Sequence, residues 1–175
     1  MKTLKPVLPK DAKEISDKGF QGNISKHKEF ITDGHLMILA SAVQKGFEIK
    51  LPIKGLPGSP SLAGMKNIWD AANDRPTVPA HFIGCGHPGD MESIVAVIRD
   101  DNGRVLTVDP YILKFALSAV HADEIHVSAG PKYDQDPLII FHGTSIVALV
   151  MPMRYTRVDL REYDLTTEPV DIRTL

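Results

Sequence analysis

"SIVAVIRDDNGRVLTVDPYILKFALSAV", residues 93–120, is the stretch that decides the fold class. Two apolar runs meet at Asp101-Asn102-Gly103, and Asn-Gly accepts the positive φ of a tight turn, so the runs read as a β-hairpin. Asp109 follows the second run and can accept hydrogen bonds from the orphan N–H groups that open a helix. Pro110 suits the first helical position, where its missing donor costs nothing. Ile112, Phe115, Ala116, Ala119 and Val120 then recur at helical spacing, which predicts a helix over 109–120. Beyond it, "EIHVSA" and "PLIIFH" read as strands, His142-Gly143-Thr144-Ser145 as a turn, and "IVALVMPM" as a last strand. Strand, strand, helix, strand, strand, strand is an α+β pattern built on an antiparallel sheet.

Upstream, the pattern is looser. Residues 10–18, "KDAKEISDK", suit a short polar helix that Gly19 would end. From Asn23 to Ile53 the chain reads as mainly extended, with a turn-prone Asp33-Gly34 inside "EFITDGHLMILASAV" and a half-buried strand at Phe47–Leu51. Residues 54–90 carry five prolines and six glycines, which predict a loop-rich insertion. Leu62, Met65, Trp69 and Ala72 fit one short helix there, with Ser61 as its N-cap. Trp69 on that stripe is read as a docking residue for the core.

The chain has 175 residues, 43% hydrophobic and only 6% aromatic, enough for one domain with a mainly aliphatic core. The expected organisation is a single domain over 1–175, with the insertion at 54–90 and an extra tail at 155–175. Cys85 is the lone cysteine, so no internal disulfide can form. "MKTLKPVLPK" lacks the apolar run of a signal peptide, and nothing approaches the ~18 apolar residues of a membrane span. A cytoplasmic protein is expected, without membrane partners. Net charge is −2, but residues 1–28 hold seven lysines against Asp11, Glu14 and Asp17. An uneven field of that kind can serve a DNA-facing side on an acidic molecule.

Catalytic motifs are weak. "HFIGCGH" places His81, Cys85 and His87 within seven residues, and all three side-chain types bind zinc. No four-ligand spacing accompanies them, so a metal-dependent hydrolase is the least favoured reading. Cys85 fits a small buried hydrophobe better. Gly84-Cys85-Gly86 is too short for a phosphate loop and lacks the following Gly-Lys-Ser/Thr. His35 has no identifiable catalytic partner. No cofactor, metal or enzymatic activity is expected.

Two distant segments carry a resemblance to one family. "FITDGHLMI" resembles the Thr-Asp-Gly-His-Arg-Leu segment in the middle domain of the bacterial sliding clamp, the β subunit of DNA polymerase III. "ALVMPMR" is similar to that family's C-terminal Val-Met-Pro-Met-Arg ending. "LTVDPYILKFALSAV" resembles its last-domain strand, Asn-Pro-x-Tyr-Leu and helix. The match is most continuous from Leu106 to Arg154.

The resemblance implies a processivity fold: an antiparallel sheet with helices on one face, and a homo-oligomeric ring around double-stranded DNA. It also implies a groove that captures short motifs from polymerases and repair proteins. Carried over, that groove would use Thr32, Gly34, His35 and Met37, then Val150, Met151, Pro152, Met153 and Arg154. Adaptable methionines suit varied apolar side chains, and His35 and Arg154 would supply polar contacts at the rim. DNA would be held through phosphates, without sequence reading, by Lys10, Lys13, Lys18 and Lys114. The alternative keeps the fold without DNA, as a stand-alone adaptor or competitor. Leu36 stands where the family has arginine, and the family's two groove segments lie in different domains, whereas here one chain holds both. The tail after Arg154 extends where the family stops and would be able to cover the groove.

Overall fold

Alternating apolar residues on both sides of nearly every strand dictate a sheet that must be covered twice. The computed structural model describes residues 1–9, 23–24, 30–32, 34–47, 62–89, 93–155, 157 and 159–175. Among them, nine strands form one antiparallel sheet. In chain order these are β1 (Asn23–Ile24), β2 (Phe30–Thr32), β3 (Leu36–Leu39), β4 (Thr77–Gly86), β5 (Val95–Asp100), β6 (Val105–Val108), β7 (Glu124–Ser128), β8 (Leu138–His142) and β9 (Ser145–Val150). Two α-helices accompany them, α1 (Leu62–Asp74) and α2 (Pro110–Ala119). The strands lie side by side in the order β1-β2-β3-β9-β8-β7-β4-β5-β6.

The hairpin and helix expected over residues 93–120 form as β5, β6 and α2. Asp109 Oδ1 accepts the Tyr111 and Ile112 N–H groups at 2.8 and 3.1 Å, and Pro110 opens the helix. Such a cap stabilises a helix by about 1 kcal/mol. Leu113, Phe115, Ala116 and Ala119 of α2 are buried against one sheet face, with Leu36, Ile38, Phe82, Ile98, Leu106 and Val150.

The other face is covered in two places. Trp69 and Ala72 of α1 pack with Phe30, Met37, Ile139 and Leu149, and the Trp69 ring lies 4.9 Å from that of Phe30. Leu4 and the tail residues Leu160 and Leu165 pack on Ile83, Val95, Val97 and Val105. The helices therefore lie on opposite faces, not on one. The reason is the strand pattern: Met37 lies between Leu36 and Ile38, all three are buried, and neighbours on a strand point to opposite sides.

β4 is the main departure from expectation. A ten-residue strand runs through the part of the insertion read as loop. It bulges between Phe82 and Gly84, where Gly84 adopts φ +136°. Beyond Ala80, where the pairing with β7 ends, both terminal segments pair with β4, one on each side of the bulge. Val170 donates its N–H to Phe82 O at 2.8 Å, and Lys5 exchanges two backbone bonds with Cys85 at 2.9 and 2.7 Å. The tail thus completes the sheet and one of its cores, rather than folding over the groove.

The sheet also curls. Beyond Val150 the chain crosses to β6 at the far edge: Pro152 bridges Val108, and the Met153 N–H donates to Thr107 O at 2.7 Å. α2 sits inside that curl. The helix over 10–18, the strand over 47–51 (past Phe47) and the Ser61 cap fall outside the described residues. Among the described residues no helix is long and apolar enough to cross a membrane.

Candidate functional site

The two segments singled out in the sequence come together within one chain. β3 pairs with β9 so that Leu36 faces Val150, and the Met151 N–H donates to His35 O at 2.8 Å. The turn that presents His35 is held from within. Thr32 Oγ1 donates to Leu36 O at 2.6 Å and accepts the Gly34 N–H at 3.1 Å, while Gly34 takes φ +89°. That left-handed conformation favours glycine, which explains the residue at this position.

The segment 151–155 is tied on its other side as well. Besides the Met153 N–H bond, Thr107 Oγ1 donates to Tyr155 O at 3.1 Å. Hollows lie against this segment. One, of about 650 Å³, is lined by Gly34, His35, Asp134, Gln135 and residues 151–155. The other, of about 450 Å³, is bounded by His35, Asp109, Ile112 and the same five residues. Together they make a bipartite groove whose backbone is fixed by β3 and β6.

Six of the nine expected groove residues line it: Gly34, His35, Met151, Pro152, Met153 and Arg154. Thr32, Met37 and Val150 do not. They are 3%, 5% and 0% exposed, so Thr32 braces the turn and the other two are core. Leu36 is 1% exposed beneath α2, so the position where the family has arginine belongs here to the core. Asp134, Gln135, Tyr155, Asp109 and Ile112 complete the walls and were missed. Asp134 and Gln135 arrive on the β7–β8 loop, which folding alone brings beside Arg154.

Met151 is the most exposed apolar wall residue at 36%, whereas Met153 and Tyr155 also pack against the tail-covered core. Solvent-exposed methionine beside ordered backbone is the kind of surface that repacks around different partners. Of the lysines expected at DNA, Lys10, Lys13 and Lys18 lie outside the described residues. Lys114 is half-buried on α2, a helix with no exposed residue, so this helix offers little basic surface.

Of the three candidate zinc ligands, His81 and Cys85 lie on different faces of β4. Phe82 and Cys85 face α2 while Ile83 faces the opposite core, so His81, preceding Phe82, points away from Cys85. His81 Nε2 instead lies 2.7 Å from Asp101 Oδ1. His87 is exposed beyond the strand end, and its N–H donates to Tyr163 Oη at 3.0 Å. Among the described residues no group of three or more His, Cys, Asp or Glu is placed to hold a metal.

Burial pushes the Cys85 thiol up to about 12, against about 8.5 in an unfolded chain. A thiol reagent at pH 8 is expected to leave Cys85 unmodified until the protein unfolds. The raised value also has a sign for stability. The contribution is whole below about pH 8.5 and declines as pH rises toward 12, because the unfolded chain releases its proton first.

Comparison with protein-family models, curated proteins and solved structures gives no match.

Proposed function

We propose that this protein is a sliding-clamp-like, non-enzymatic accessory protein of DNA replication or repair that captures short peptide motifs of polymerases or repair proteins. One observation carries the proposal. The His35 turn and the Met151–Arg154 segment, which resemble a peptide-binding family in sequence, line one groove here. They are joined by a backbone hydrogen bond from Met151 to His35, with an exposed methionine in the wall.

A fluorescent clamp-binding peptide is expected to bind, and Met151→Asp should weaken it by at least ~30-fold, the scale of a central apolar contact. Polarisation titration reads the affinity, and an unchanged urea midpoint shows that the fold survives. Met153→Asp is the poorer probe, because Met153 also packs against a core. Wild-type protein that ignores the peptide would defeat the proposal.

Retention on double-stranded DNA is the second half of the proposal, through Lys10, Lys13 and Lys18 and a closed homo-oligomeric ring. Head-to-tail contacts with a closing rotation generate such rings. Light scattering after size exclusion is expected to give a closed oligomer, and DNA affinity should fall steeply with added salt. A strict monomer at high concentration removes the ring and leaves peptide capture. One observation favours that narrower reading, of an adaptor or competitor without DNA: α2 carries a single, half-buried lysine.

A further inference from the structure

The geometry points to a ligand of defined charge polarity: a peptide whose apolar anchor is flanked by a basic residue facing Asp134 and an acidic group facing Arg154. This rests on the peptide-capture reading and adds the partner's chemistry to it. Asp134 and Arg154 are both exposed and line the same hollow, yet they do not pair with each other. Nor does either form an ion pair with another described residue. Opposite charges kept apart in one recess are complementary to a ligand that brings both signs.

Each charge rides on fixed backbone. The loop carrying Asp134 is gripped by Arg104, whose guanidinium donates to Ser128 O at 2.9 Å and Gly130 O at 3.1 Å and lies 4.3 Å over the Tyr133 ring. Gln135 N–H closes the turn on Lys132 O at 2.9 Å. Arg154 sits between Met153 and Tyr155, both tied to Thr107. Little backbone ordering is left for a ligand to impose, so the charge pattern acts as a template. The adjoining hollow beside Ile112 and Met151 takes the anchor. Charges placed this way select partners and fix their direction more than they add affinity.

The test uses a display library of randomised nonapeptides, selected in parallel on wild-type and Met151→Asp protein. Wild type is expected to enrich an apolar residue with Lys or Arg on one side and Asp or Glu on the other. Asp134→Lys should then weaken a selected peptide about fivefold. Exchanging that peptide's basic residue for glutamate should restore binding. Arg154→Glu should do the same at the acidic position, and both effects should shrink in high salt. Both residues are exposed, so reversal leaves the core untouched. Enriched peptides without charge preference, or affinities unmoved by either reversal, overturn the polarity while peptide capture stands. No enrichment over the Met151→Asp selection overturns both.

Discussion

Asp100→Ala is expected to destabilise the protein by about 3–5 kcal/mol, the usual cost of removing one member of a buried ion pair. The Asp100 side chain has no solvent exposure, and its Oδ2 accepts from Arg104 Nε at 2.6 Å. Its Oδ1 accepts the N–H groups of Asn102 and Arg104 at 2.9 and 2.8 Å, which shapes the Asn102-Gly103 turn. Alanine would leave these donors without their acceptor and Arg104 without its counter-charge. Arg104 also holds the loop that carries Asp134, so the groove wall should loosen together with the hairpin. Urea unfolding reads the loss. Asp100→Asn, which keeps an oxygen acceptor, should fall between the two.

Gly84→Ala is expected to cost about 2–5 kcal/mol, combining backbone strain with overpacking. Gly84 has φ +136°, and a methyl there would come within 2.6 Å of Leu4 Cβ and 2.9 Å of Lys5 O. Backbone cannot retreat cheaply, so the N-terminal segment would have to leave β4 and take buried Leu4 with it. Faster hydrogen exchange at the Lys5 and Cys85 amides should accompany the fall in midpoint. Gly143→Ala makes the control. Its φ is +59° with nothing within 4 Å of the added methyl, so about 1 kcal/mol of strain alone is expected.

Local chemistry made the C-terminal half readable. Asn102-Gly103 and Asp109-Pro110 act through their own neighbours, so β5, β6 and α2 follow from a few residues each. β4 was hidden because Pro79, Gly84 and Gly86 look like breakers. In the fold they serve a strand: Pro79 faces His126 in register and its carbonyl accepts the Asp101 N–H at 3.0 Å. Gly84 sits at the bulge, and Gly86 lets Leu4 and Tyr163 approach within 2.9 Å of where a Cβ would stand. A glycine required for close approach and one required for a turn are identical in a sequence.

The placement of α1 was equally unreadable, since an amphipathic stripe demands a face without naming which one. Half of the groove came from the family resemblance, which marked His35 and Met151–Arg154. The same resemblance overreached at Thr32, Met37 and Val150, which are buried because the sheet is covered on both faces. The β7–β8 loop gave no local signal at all, because its place beside Arg154 depends on how the whole sheet curls.

That curl has a consequence for any ligand that enters the groove. Along 151–153 every amide hydrogen is already committed or missing: one goes to the His35 carbonyl just ahead of β3, proline has none, and the third goes to β6. An incoming chain therefore finds no free main-chain donor along these three residues. Compounds that keep the side chains but replace the peptide linkages should lose little grip here.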